Sequence, residues 1–449
     1  MLDYSMVYAR KKTVLFVFSV LFLSLLASIR YQSIPQIIAF DVRLEEHGVF
    51  RNSTHLPASY RPKILIWAKQ YHKIDWTLPD LPAFHGGCDV SWDRNEYATS
   101  DAILFYMKSC SSRDLPNARK RSRHQAFVWW AHESPWTVLH YYGHKLEDFN
   151  NYFNWTMTYR RDSDILASFA PTPSMDYLLY RFDRKGEMVN KKLLKRPVMS
   201  NTSFAIQKKK LLDSKSRMIA WVASDCDVTE GASERLKLVE KLERLGNIHL
   251  DKFGKCANAE IPYNYTVLFQ TLKPYKFYLA FENSYHCRDY ITEKAFYNGL
   301  VAGTVPIVHG PTIEDTEKIL PKGSFIHIES FKNLTSLAEY LVYLDSNDTA
   351  YLEYFKWWKL HGTRIIPRFG FNYGSRPINY NRTDPEDFQT VAQHNVWTSA
   401  IQDDMMEIER FGLYHLCRKL LKMDHIKTSK SILNLSHWWY GTENEECLK

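Results

Sequence analysis

The sequence predicts an α/β protein with two parallel-sheet lobes in series, preceded by one membrane-spanning helix. Three observations carry this. Short unbroken apolar runs (KILIW at 63–67, AILFY at 102–106, AFVWW at 126–130) stand between polar turns, as strands buried on both faces do. From residue 218 onward, apolar runs alternate with segments of helical period, the pattern of a doubly wound lobe. Near the start, Thr13 to Ile29 runs without a charge. At 1.5 Å per residue that stretch spans about 26 Å, the short end for a membrane helix.

Composition sets outer bounds. The chain has 449 residues, with 45% hydrophobic and 24% charged, which excludes a disordered or collagen-like protein. Of the net charge of +8, Arg10, Lys11, Lys12 and Arg30 against Asp3 place +3 in the first 31 residues. The rest is mildly basic, which argues against nucleic acid as a partner and suits a small anionic ligand. Aromatic residues at 15% fit contact with flat partners such as sugar rings.

In chain order, residues 1–12 read as a cytoplasmic tail and 13–30 as a transmembrane signal-anchor. No A-x-A-like cleavage pattern follows Ala27-Ser28-Ile29, which favours a retained anchor over a cleaved signal peptide. The cations Arg10, Lys11 and Lys12 before the span predict a cytosolic N-terminus and a lumenal body. A short span suits the thinner bilayers of the early secretory pathway. Sequons at Asn52, Asn154, Asn201, Asn264, Asn333, Asn347, Asn381 and Asn434 all follow the span, as N-glycosylation in the lumen requires. Cys88, Cys110, Cys226, Cys256, Cys287, Cys417 and Cys447 are an odd set, so one stays free if the rest pair. Their spacing fits no zinc site and leaves the pairing open.

Residues 31–60 read as a stem. The first lobe covers 61–210, with a Lys- and Arg-rich linker over 185–216. The second lobe, 211–365, is predicted from strands at Met218–Ala223, Ile248–Phe253, Phe277–Phe281, Val305–Val308 and Phe325–Ile328. Helices are expected at about 232–245 and 290–302. An extension over 366–449 is expected to pack back on the lobes. Two such lobes in series, with a ligand cleft between them, are typical of nucleotide-sugar enzymes.

The chemistry concentrates in residues 275–311. A buried strand ends at Phe281, and the polar residues Glu282, Asn283 and Ser284 follow at the end where α/β folds bind ligands. Asp289 is expected to cap the next helix and Gly303 to close it. Helical period places Tyr290, Glu293, Lys294 and Tyr297 on one arc, starting at an N-terminus that favours anions. The same features also describe a plain capped helix with a Glu–Lys face.

The string FENSYHCRDYITEKAFYNGLVAGTVPIVHGP, from Phe281 to Pro311, closely resembles the signature of the α1,3/4-fucosyltransferase family. His132-Glu133-Ser134-Pro135, the block FNWTMTYRRDSD at 153–164, Trp221–Ser224 with Arg235 downstream, and Phe253–Cys256 resemble further family segments in the expected order. The resemblance covers about residues 61–420. It implies a GT-B fold, two Rossmann-like lobes facing across a cleft. It implies GDP-β-L-fucose as donor, a glycoprotein or glycolipid glycan as acceptor, inversion at the sugar carbon, and the Golgi membrane as location. On matching positions, Glu133 becomes the general base. Arg235 and Lys294 become phosphate-binding cations, and Asn283, Tyr290 and Glu293 become donor contacts. Tyr159 and Arg160 are weaker candidates.

Asp162-Ser163-Asp164 and Asp225-Cys226-Asp227 could in principle hold a divalent ion, yet GT-B enzymes do not generally need one. No obligatory cofactor is therefore expected, with manganese or magnesium at most a stimulant. The loop Trp136–Asn150 and the thirty-residue gap from Cys417 to Cys447 depart from the family pattern. They bear on acceptor choice and on disulfide pairing. The alternative reading is a membrane-anchored glycan-binding relative without catalysis.

Overall fold

The computed structural model describes residues 60–67, 88–110, 112–169, 201–262, 265–358, 412–413, 415–417, 419–421, 431–441 and 447. The expected cytoplasmic tail and anchor and most of the expected stem lie outside these residues. Among the described residues no helix is long and apolar enough to cross a membrane.

The first lobe is built on six parallel strands: β1 (Lys63–Ile66), β2 (Asp89–Ser91), β3 (Ala102–Tyr106), β4 (Ala126–Ala131), β5 (Trp155–Thr158) and β6 (Ile165–Leu166). Their order is β2-β1-β3-β4-β5-β6. The three apolar runs noted above are β1, β3 and β4, and every residue of β4 is buried. One face of this sheet packs Phe105, Phe127 and Trp129 against Leu435 and Trp439 of the C-terminal segment. The other packs Leu104, Val128 and Met157 against Leu413, Leu416 and Leu420. The described parts of the extension thus lie on the first lobe.

The second lobe has five parallel strands: β7 (Arg217–Val222), β8 (Leu250–Phe253), β9 (Tyr275–Phe281), β10 (Val305–His309) and β11 (Ile326–His327). Their order is β11-β10-β9-β7-β8. Helices α1 (Asn201–Leu212), α2 (Glu230–Glu243), α3 (Tyr265–Leu272), α4 (Ile313–Ile319), α5 (Leu334–Ser346) and α6 (Asp348–Glu353) accompany this sheet, and α7 (Leu435–Tyr440) belongs to the first lobe. Both sheets are parallel, as the two-lobed α/β expectation requires.

Three expectations need correction. The stretch 201–212, read as linker, is helix α1, and its Phe204 and Leu211 enter the second lobe's core. A Lys-rich exterior hid two apolar anchors. The helix expected at 290–302 starts later and is a π-helix over Lys294–Val301, with Ala302 N–H bonded back to Tyr297 C=O and Thr304 N–H to Gly299 C=O. Its wider turn cancels the arc drawn at helical period: Tyr290 precedes the helix, and Tyr297 is buried. Asp289 does not cap it. Asp289 has φ of +58° and holds Arg161 of the other lobe in an ion pair at 2.8 Å.

The cysteines pair as Cys88–Cys417, Cys226–Cys256 and Cys287–Cys447, and Cys110 is the buried free thiol. Among the sequons, Asn201, Asn333 and Asn434 are exposed and Asn347 is half-buried, while Asn52, Asn264 and Asn381 lie outside the described residues. Asn154 differs from the exposed sequons. It is buried, and its side-chain oxygen accepts from Phe127 N–H at 2.8 Å and from Arg121 at 2.9 Å.

Peptide mapping of the protein made in a glycosylating host should therefore find Asn154 bare. Asn154→Ala should lower stability by about 1–3 kcal/mol in thermal denaturation, because it orphans a buried backbone donor.

Candidate functional site

The second sheet reverses its strand order between β7 and β9, and open α/β sheets take ligands in the crevice at the carboxyl ends beside such a reversal. Asp225 follows β7 and Asn283 follows β9. The Asn283 side-chain amide lies 3.4 Å from the Asp225 carboxylate. Thr229 caps α2 by accepting Ala232 N–H, and its hydroxyl donates to the Asn283 carbonyl at 2.9 Å. This brings the first turn of α2 against Asn283. A Cβ on Gly231 would sit 2.4 Å from the Asn283 carbonyl oxygen, so only glycine admits the approach.

Below this crevice, Glu282 is buried. It accepts from Thr292 N–H at 2.8 Å and from the Thr292 hydroxyl, and pairs with the Lys294 ammonium at 3.1 Å. Lys294 also pairs with Glu293 at 3.0 Å. Burial alone would discourage the ammonium, yet Glu282 and Glu293 together raise its pKa above the ordinary lysine range. Burial likewise opposes ionisation of Glu293, but the charge and hydrogen bond of Lys294 hold its carboxyl below the usual range. Glu282 goes the other way: burial pushes it up, against the pull of Lys294.

Glu133 stands opposite, in the first lobe, just past the end of β4. Burial raises its carboxyl above the ordinary range in spite of Lys108 and Lys294. Its neighbour His132 accepts the Trp130 indole N–H at 2.9 Å and is pushed down to about 3 by burial and by Lys108, so it is neutral and acts as packing. The Tyr290 hydroxyl of the second lobe lies 3.3 Å from Glu133 Oε2 and 3.1 Å from Asn283 Oδ1. That phenol has one proton for two acceptors. Burial first, and then Glu133, raise its pKa far above that of free tyrosine. A desolvated carboxylate holds a proton more readily than a solvated one, as a general base requires.

The fold thus joins Glu133, Tyr290 and Asn283 in one contact, and Glu293 and Lys294 in another. Arg235 stands apart from both. It is buried, its guanidinium donates to the carbonyls of Phe281 at 3.0 Å and Asp225 at 2.6 Å, and its Nε has no partner among the described residues. It fastens the ends of β9 and β7 at the strand reversal. Tyr159 packs on Tyr290 with ring centroids 5.0 Å apart. Arg160 is buried between Asp162 and the Trp438 ring.

Three of the four D-x-D carboxylates make internal contacts. Asp162 pairs with Arg160, Asp164 accepts Thr156 N–H at 2.9 Å, and Asp225 accepts Val228 N–H at 3.1 Å. Among the described residues no group of three His, Cys, Asp or Glu could hold a metal. Sequence reasoning missed Glu282 as the anchor of Lys294, and the Thr292 hydroxyl beside it. A carboxylate directly after an otherwise apolar strand was the available signal.

Lys294→Met should destabilise the fold by about 3–5 kcal/mol, because it leaves the Glu282 carboxylate buried without its cation. Adding Glu282→Gln should recover much of that loss. Denaturant melts of the two variants check this.

The model for the N-terminal part of fucosyltransferases matches residues 59–170, and that for the C-terminal part of glycosyltransferase family 10 (fucosyltransferase) matches residues 212–368. The chain is 32% identical over 314 residues to 3-galactosyl-N-acetylglucosaminide 4-alpha-L-fucosyltransferase FUT3 of Bos taurus, covering 68% of this chain and 73% of that one. It is 34% identical over 339 residues to 4-galactosyl-N-acetylglucosaminide 3-alpha-L-fucosyltransferase 9 of Rattus norvegicus, covering 74% and 81%. A crystal structure of alpha1,3-fucosyltransferase with GDP-fucose aligns at 18% identity and a TM-score of 0.38, over 67% of this chain and 83% of that one. With relatives this similar over this much of their length, the chain belongs to glycosyltransferase family 10, the fucosyltransferases.

Proposed function

We propose that the protein is an inverting α1,3-fucosyltransferase that moves L-fucose from GDP-β-L-fucose to a hydroxyl of a glycoprotein or glycolipid glycan, O3 of N-acetylglucosamine being the leading candidate. One observation carries the reading. A desolvated carboxylate, Glu133, is linked through the Tyr290 hydroxyl to Asn283, which stands beside the strand reversal of the second lobe. A base and a ligand crevice therefore face each other across one side chain.

In this reading the acceptor oxygen forms its bond to the sugar carbon as the bond from that carbon to the phosphate oxygen breaks. The hydroxyl proton passes to Glu133, and GDP departs with the electron pair. Base catalysis of this kind contributes about 10²- to 10⁴-fold. Lys294 supplies the positive charge for the diphosphate, held in place by Glu282. Arg235 keeps the ends of β7 and β9 in register beneath the donor. Asn283 and Glu293 offer polar contacts to the nucleotide or the fucose hydroxyls. The chemistry assigns no obligatory metal, and a divalent cation would act as a stimulant only. We place the protein as a single-pass type II protein of the Golgi membrane, its body in the lumen, on the strength of the apolar span at 13–30 and the flanking cations.

The test is product mass after incubating the full-length protein in detergent with GDP-fucose and a panel of N-glycan and lactosamine acceptors. Fucosylated product is expected from the parent, with kcat down about 10²- to 10⁴-fold in Glu133→Gln. Bound GDP without any product would favour the glycan-binding reading instead, and equal turnover by both proteins would remove Glu133 as base.

The pH behaviour follows from the raised carboxyl. Activity should rise as pH passes upward through the Glu133 pKa, and that acidic limb should vanish in Glu133→Gln. Stability has the opposite sign. A carboxyl whose folded pKa lies above its unfolded value stabilises most at low pH and loses that contribution as pH climbs through the folded pKa. Glu133→Gln should therefore melt higher than the parent at neutral pH while being the slower enzyme.

A further inference from the structure

A row of buried hydroxyls lies where the two lobes meet, next to Glu133. The Ser134 and Ser284 hydroxyls share a hydrogen bond of 2.7 Å across the junction. Ser134 also lies 3.0 Å from the Thr137 hydroxyl and accepts Thr137 N–H at 3.2 Å. Ser134, Ser284 and Thr137 are fully or almost fully buried. Ser134 follows Glu133 in the chain, and Ser284 follows Asn283. One short bond therefore ties the residue after the base to the residue after the donor-side amide.

The two other polar cross-lobe contacts described above differ in kind. The Arg161–Asp289 ion pair involves a long, flexible side chain that is partly exposed. The Tyr290 hydroxyl meets Glu133 at a looser 3.3 Å and divides its proton between two acceptors. The serine pair is short, uncharged and directional, and each side chain has a single rotatable bond before its oxygen. Ser134 keeps Thr137 as a second partner, but losing the bond takes the hydrogen-bond partner of the buried Ser284 hydroxyl, and that loss in a dry setting opposes both opening and sliding of the junction. An apolar pair of the same size would bring the surfaces equally close without fixing their register.

We propose that the Ser134–Ser284 hydrogen bond is a positioning contact that sets the reach of Glu133 toward a sugar held by the second lobe. The inference rests on the transferase reading above. Neither serine touches substrate; both act through Glu133. A misplacement of about 1 Å at a reacting group can cost ~10²-fold in rate, so the contact has a measurable consequence.

The experiment compares Ser284→Ala, Ser134→Ala, the double variant and Ser284→Thr, in the parent and in Glu133→Gln. Ser284→Ala should lower kcat by ~10- to 10²-fold with little change in KM for GDP-fucose. The double variant should be no slower than either single one, and Ser284→Thr, which keeps the hydroxyl, should regain most of the rate. In the Glu133→Gln background Ser284→Ala should add no further loss. A second readout needs no turnover: the pH at which parent and Glu133→Gln part in melting temperature reports the Glu133 pKa, and Ser284→Ala should move it. Full activity in Ser284→Ala, a loss confined to KM, an equal loss in both backgrounds, or an unmoved Glu133 titration would each overturn the proposal. Should the parent not turn over, the transferase reading falls, and the melting comparison alone decides whether the serines govern Glu133. Should Ser284→Ala fail to melt cooperatively, Ser284→Cys, similar in size and a weak donor, takes its place in every arm.

Discussion

One ammonium serves three carboxylates. Lys294 pairs with Glu282 and Glu293 and is near enough to Glu133 to lower its pKa against the push of burial. In a desolvated setting three acids around Lys294, with Lys108 acting on Glu133 as well, do not ionise equally. Glu293 keeps its charge, whereas Glu282 and Glu133 are driven toward protonation. The charge balance of the whole crevice turns on where Lys294 sits. Its position is fixed from beneath by Glu282 and Thr292, which are themselves held by the end of β9.

That local problem shapes the larger structure. The loop from Glu282 to Tyr290 has to reach the other lobe, and the fold secures it at several points. Asp289 takes Arg161, and Tyr290 packs against Tyr159 and Phe169. Cys287 and Tyr290 sit in the core cluster of the first lobe beside Trp439 and Cys447. The loop that carries the signature therefore belongs to the second lobe by chain and to the first by packing. A Cβ on Gly310, where φ is +123°, would lie 2.7 Å from the Glu282 Cβ, so the start of this loop also depends on the glycine behind it.

Much of this was legible from residue patterns, and the gaps have physical causes. β3 was readable residue for residue because a strand buried on both faces shows as an unbroken apolar run. Glu133, Asn283, Tyr290, Glu293 and Lys294 were reached through the family resemblance, and the fold brings them to one junction. The π-helix was not readable, because the period used to find helices assumes bonds four residues back and this one bonds five back. Helix α1 was missed because its lysines outnumber its two anchors, Phe204 and Leu211. Arg235 was reached through the resemblance as a phosphate-binding cation, and the fold adds what spacing did not show, that its guanidinium donates to two main-chain carbonyls. Sequence spacing identifies a charged residue and says nothing of which neighbour it will satisfy.

The disulfides carry a consequence for how the molecule is made. Cys226 and Cys256 are 30 residues apart and can join as soon as the β7–β8 region has emerged. Cys287 must wait for a partner 160 residues further on, and Cys88 for one 329 residues further on. During synthesis both wait as thiols beside the free Cys110, and either could join a wrong partner first. The loop that carries Asn283 and Tyr290 is thus clamped only after the 160 residues that follow Cys287 have been made. A chain cut short of Cys447 would hold the residues of both sheets without the disulfide that ties Cys287.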